Sequence, residues 1–132
     1  MSLGNARPKE KYVPSYQVSG KPYALQVSVL ASTGGTEVVF PTVTRWIKVT
    51  NTTASDIYLG FSANGVDGTV TNNYYTIPAA SNEDETTSGV LELRCKSIFL
   101  KSSSGTKTIS VIAGLTDISD MAIKLSGSVG VG

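Results

Sequence analysis

The sequence predicts an all-β fold, a single jelly-roll sandwich of about eight antiparallel strands with extended N- and C-terminal arms. Three observations predict it. Apolar residues recur with period two in short runs, the mark of strands with one buried face. The runs are separated by turns rich in Gly, Asn, Asp and Ser. No window of 11 or more residues carries clear helical spacing, apart from a weak signal over Ile118 to Leu125. Short strands between such turns indicate a sandwich or barrel. An eight-strand count in 132 residues favours a single jelly roll and leaves an immunoglobulin-like sandwich open.

Each strand has its own signal. Tyr23, Leu25, Val27 and Val29 alternate with Ala24, Gln26 and Ser28. Gly34-Gly35 then turns the chain, and Glu37 to Phe40 forms a short β-rich run stopped by Pro41. Thr42 to Thr50 is rich in β-branched and aromatic residues. Its period places Val43, Arg45, Ile47 and Val49 on one face and Trp46 on the other. After the polar turn Asn51 to Ser55, Ile57, Leu59 and Phe61 alternate with Tyr58 and Gly60. Asn64-Gly65 and Asp67-Gly68 are strong turn dipeptides, so Gly60 to Gly68 reads as a tight corner between strands. Asn73 to Ile77 is an aromatic strand ended by Pro78. A loop over Ala79 to Ser88 follows. Leu91, Leu93 and Cys95 alternate with Glu92 and Arg94, Ser97 to Lys101 continues the β signal, and Thr108 to Ala113 is the last clear strand. The expected core is Leu25, Val27, Ile47, Val49, Leu59, Phe61, Leu91, Leu93, Ile109 and Val111.

Three zones follow along the chain: a basic N-terminal arm over 1–21, a folded body over 22–116 and a Gly/Ser-rich tail over 117–132. The arm holds Arg7, Lys9, Lys11 and Lys21 against Glu10 alone, whereas the remainder is slightly acidic. Fully extended, 21 residues span up to about 70 Å. Tyr12, Val13 and Tyr16 give the arm something to bury, which a purely solvating tail lacks. Arg7, Lys9, Lys11, Tyr12 and Tyr16 are therefore the candidate assembly residues of the arm.

Composition excludes much chemistry. The chain has no His and one Cys. Ser-His-Asp and Cys-His nucleophile systems and His-based zinc sites are impossible, and so is an internal disulfide. A formal net charge of +1 does not suit general nucleic-acid binding. Glu83-Asp84-Glu85 lacks the alternating ligand spacing of a calcium loop and reads as a solvated loop. Glu37, Asp56, Asp67 and Glu92 are scattered singly, with nothing to pair two of them as glycosidase carboxylates. Cys95 shares the apolar phase of Leu91 and Leu93 and reads as a buried small hydrophobe. Asn51-Thr52-Thr53 matches a glycosylation acceptor but reads as an unmodified loop, since no signal peptide accompanies it. The sequence also shows no membrane span. No catalytic residue, cofactor or metal is expected. Trp46, Tyr74 and Tyr75 are the candidate interface or surface aromatics, since Trp and Tyr are enriched where proteins meet.

Four segments occur in order: Phe40-Pro41-Thr42-Val43-Thr44-Arg45, Gly60-Phe61-Ser62-Ala63-Asn64-Gly65-Val66, Asn73-Tyr74-Tyr75-Thr76-Ile77 and Ala113-Gly114-Leu115-Thr116. Together they make the chain resemble the single jelly-roll penton proteins of large icosahedral double-stranded DNA viruses, over roughly Tyr23 to Ile118. That resemblance implies a capsid protein without an active site or cofactor. It implies five copies closing each vertex, contacts with other capsid proteins and residence in the virion. Synthesis in a host cytoplasm, and a weak genome contact through the arm, are the accompanying expectations. The same segments resemble phage head decoration or fibre proteins. A carbohydrate- or receptor-binding β-sandwich is the other alternative, with Tyr74 and Tyr75 stacking on sugar faces.

Overall fold

A computed structural model describes residues 20–68, 72–80, 85–118 and 130–131. Eight strands form two four-stranded antiparallel sheets. The strands are β1 (Lys21–Val29), β2 (Thr36–Val39), β3 (Thr44–Asn51), β4 (Ile57–Gly60), β5 (Tyr74–Ile77), β6 (Thr86–Thr87), β7 (Ser97–Ser102) and β8 (Lys107–Leu115). A five-residue helix, α1 (Ala63–Asp67), lies between β4 and β5. Sheet one has the order β1-β8-β3-β6 and sheet two the order β2-β7-β4-β5. The fold is thus an all-β sandwich.

The core lies between the sheets and follows the period-two signal. Val27, Ile47, Val49, Leu59, Ile109 and Val111 are buried, joined by Val29, Val38, Phe40, Ile57, Ile77, Ile98 and Leu100. Tyr23 packs edge-on against Phe40 with ring centroids 5.9 Å apart, closing the core where β1 faces β2. Leu25, Phe61 and Leu91 are half-buried against this cluster.

Four expectations need correction. First, Gly60 to Gly68 holds a helical turn, not a simple corner. Ser62 caps it, its Oγ accepting from Gly65 N at 2.9 Å, and Gly68 ends it at φ 77°. Such a cap-to-glycine frame suffices for one helical turn, yet it is too short to leave an amphipathic period.

Second, Arg45 does not share the buried face of Ile47 and Val49. Thr44 is opposite Leu115 and Trp46 opposite Gly114, so Arg45 is the extra residue of a β-bulge. The bulge shifts the phase by one, and Thr44 is fully buried in its place.

Third, Leu91 to Cys95 is not a strand, and Leu93 is exposed. Leu91 makes a two-bond bridge with Ile47, and Leu93 N then bonds back to Leu91 O, tightening the chain into a three-residue turn. Beyond it the Thr44 hydroxyl donates to Leu93 O at 2.7 Å and accepts from Cys95 N at 3.1 Å. A side chain thereby takes the place of a ladder bond. Fourth, the expected loop Ala79 to Ser88 contains β6, which pairs with the end of β3.

The arm residues Arg7, Lys9, Lys11, Tyr12 and Tyr16 lie outside the described residues, as do Glu83, Asp84 and most of 117–132.

Candidate functional site

The candidate surfaces are the outward faces of the two sheets. On sheet two the outward residues of β4 and β7 are Tyr58, Gly60, Phe99 and Lys101, because Leu59 and Leu100 point into the core. Helix α1 folds back over this face. Val66 is fully buried there, and the missing side chain of Gly60 makes room for it. A Cβ on Gly60 would fall 2.9 Å from Val66 Cβ. Lys101 Nζ bonds Asp67 Oδ1 at 3.1 Å and Asp67 O at 3.2 Å, with both side chains largely buried. Asp67 also accepts from Gly34 N at 3.2 Å, which ties the β1–β2 turn to the helix. Ser62 Oγ donates to Val131 O at 2.6 Å, anchoring residues near the end of the chain on the same helix.

The tyrosines frame this patch but do not act together. Tyr74 stacks at a tilt on Tyr58, centroids 4.8 Å apart, and lies over Gly68. Tyr75 is opposite the buried Leu59 and lies on the other face of β5, 57% exposed at the sandwich edge. Neighbours along a strand point to opposite faces. Tyr74 and Tyr75 therefore form no common stacking platform.

Sheet one presents a different face. Its outward residues are Pro22, Ala24, Gln26 and Ser28 on β1, Thr108, Ser110, Ile112 and Gly114 on β8, and Trp46, Lys48 and Thr50 on β3. Lys48 is the one charged side chain among these, and the bulge sets Arg45 beside Trp46, off the buried face. Gln26 and Ser110 exchange hydrogen bonds across the β1–β8 pair, at 2.9 and 3.1 Å. Trp46 is half-buried with its indole against Gly114, where a Cβ would fall 2.7 Å from Cε2. Between these features a shallow depression of about 440 Å³ is lined by Ala24, Gln26, Thr50, Ser110 and Ile112. Ile112 is 39% exposed. Of the three sequence-predicted aromatics, then, Trp46 belongs to this face, while Tyr74 and Tyr75 lie on opposite faces of β5.

Two residues picked out by the sequence are structural. Asn51 is fully buried at the end of β3. Its Nδ2 donates to Ser55 O and Pro78 O at 2.8 and 3.0 Å, and its Oδ1 accepts from Thr53 N and Oγ1 at 2.9 and 2.7 Å. The amide joins three chain segments and leaves no nitrogen for a glycan. Cys95 is buried with Sγ 3.6 Å from Thr44 Oγ1. Desolvation pushes its thiol pKa up, against a smaller opposing effect of the Thr44 contact. It stays protonated and unreactive at neutral pH. Among the described residues no three His, Cys, Asp or Glu side chains cluster as metal ligands. Among them, too, no helix is long and apolar enough to cross a membrane.

In comparisons with known proteins, no family model, no curated protein and no solved structure matches the chain.

Proposed function

We propose that the chain is a structural protein of a virus shell, a jelly roll that assembles as a ring, a pentamer at icosahedral vertices. The observation that carries this reading is the nesting of antiparallel partners. β1 pairs β8, β2 pairs β7, β3 pairs β6 and β4 pairs β5, with the first and third pairs in one sheet and the second and fourth in the other. A long four-pair hairpin rolled up so that its pairs alternate between two layers has this order, and viral shell domains recur on it.

Fold alone does not assign function, since lectin domains share the same roll. Two features favour assembly. The outward face of sheet one has Arg45 and Lys48 of β3 as its charges and carries Trp46 and Ile112, and Arg and Trp are enriched at protein contacts. The tyrosines that sugar recognition would use together are split between two faces of β5. In this reading the basic arm with Arg7, Lys9, Lys11, Tyr12 and Tyr16 reaches other capsid proteins or the genome, and the protein resides in the virion. No cofactor and no catalytic step enters.

Native mass spectrometry and negative-stain microscopy of the purified full chain test this. The expected outcome is closed rings of one size, with five copies. A strictly monomeric species at high concentration that never joins shells would overturn the proposal.

A further inference from the structure

Four strands form the lateral edges of the two sheets, and three of them are blunted. A free edge offers unpaired N–H and C=O groups to any extended chain, so folds shorten, bend or cover their edges. β2 has four residues, and Lys96 Nζ at its end occupies Phe40 O and Pro41 O at 2.6 and 3.1 Å. β5 has four residues and stops at Pro78. The β6 edge is the most irregular. It has two regular residues, Gly89 at φ 72°, the tight turn at Leu91–Leu93, and the Ser88 and Thr44 hydroxyls standing in for ladder groups.

β1 differs in every respect. It runs nine residues in unbroken register with β8, and no charge follows Lys21 along it. Its protective residues, Lys21 and Pro22, both sit at its start. On the core side Tyr23 and Leu25 stay half-exposed at the rim, whereas Val27 and Val29 are buried. An added strand would complete both the ladder and the cover of these two side chains.

We infer that β1 takes up an added strand, donated by residues 14–19 of a second copy of this chain. The sequence nominates the occupant. Tyr16-Gln17-Val18-Ser19 repeats the pattern of Leu25-Gln26-Val27-Ser28, with apolar and polar residues in the same alternation. In the added strand Tyr16 and Val18 fall on the side of Tyr23 and Leu25, and Gln17 and Ser19 on the side of Gln26. Gly20 points to an intermolecular donation. Its backbone lies against Gly114 of β8, where a Cβ would fall 2.6 Å from the Gly114 carbonyl carbon. The chain thus enters β1 from the β8 side, away from the edge that no described strand pairs. Since Gly20 alone separates the donated segment from Lys21, the β1 edge that accepts it sits beside the donor's Gly20 and β8.

This inference is independent of the shell reading. Rings can close through loops with the edge idle, and strand donation can produce dimers that build no shell.

Hydrogen exchange of the full chain over a range of concentrations tests it, with Val18→Pro as the variant. Proline removes a ladder donor at a position outside the described sandwich. The expected result is exchange slowed at least roughly tenfold at high concentration, both in β1 and in 14–19, and lost in both together in V18P. Tyr16→Phe should retain the protection. Three results would each overturn the inference: protection independent of concentration, which means the chain covers its own edge; protection of β1 that survives in V18P, which means another occupant; and no protection at any concentration.

Discussion

The two outward faces of the sandwich are finished in opposite ways. Sheet two is covered by a piece of its own chain. Helix α1 buries Val66 against Gly60 and locks Asp67 to Lys101 and the β1–β2 turn. Sheet one carries no such cover among the described residues, and its side chains bond sideways within the sheet, as Gln26 does with Ser110. A face closed by buried polar bonds contributes to the stability of the single chain. A flat face of Ser, Thr, Ala, Trp and Ile contributes little until something docks on it. Substitutions on sheet two should therefore act on folding, and those on sheet one on association.

The largest expected effect is on the closed face. Lys101→Met leaves the Asp67 carboxylate largely buried without its cation, a change that costs about 3 kcal/mol. Urea denaturation of the two chains measures it. A loss below about 1 kcal/mol would mean that Val66 alone holds the helix and that the polar lock is incidental. Next come two glycines whose added Cβ would meet a neighbour. Gly60→Ala pushes on Val66, whose backbone N would be 3.1 Å away in a filled layer, and should cost about 1–3 kcal/mol. Gly114→Ala pushes on Trp46, which lies on an open face and can swing outward, so the loss should stay below about 1 kcal/mol while tryptophan emission shifts red. Equal losses in thermal melts would break the comparison. Ser62→Ala removes the cap of α1 and its bond to Val131, and should cost about 1 kcal/mol in the same melts.

Much of this was legible in the sequence wherever one residue's period decided its face. Val27, Ile47, Val49, Leu59, Ile109 and Val111 alternate with polar residues, and they are buried. Legibility failed where side chains replaced backbone partners. Leu91, Leu93 and Cys95 alternate as well as any strand does, but the Thr44 hydroxyl takes the bonds of Leu93 and Cys95, and Leu93 turns outward. The bulge at Arg45 left no composition signal, since it depends on the register with β8. Helix α1 was hidden because five residues carry no period. The candidate surfaces were legible only in part. Trp46, Tyr74 and Tyr75 are identifiable as strand aromatics, yet their distribution over different faces depends on strand pairing. Lys101 and Asp67, 34 positions apart, gave no sign that they would meet.

The smallest expected effect on stability is also the sharpest test of the contrast. Ile112 is 39% exposed beside the depression on sheet one, and Lys48 is its cross-strand partner on β3. Ile112→Glu gives up a β-branched residue and some apolar contact, a modest loss on a half-exposed strand position. It gains an opposite charge directly across from Lys48, worth roughly 0.2–1 kcal/mol. The two nearly offset, so the unfolding free energy should change by no more than about 0.5 kcal/mol. Association should respond quite differently. Covering the face must then desolvate the carboxylate together with Lys48, a cost that their mutual attraction repays only with ideal geometry, and any oligomer built on that face should dissociate. Sedimentation velocity on the native chain and on I112E reads this directly. If the oligomer persists unchanged in I112E, the open face of sheet one is not where copies meet, and association must run through the strand edges and loops instead.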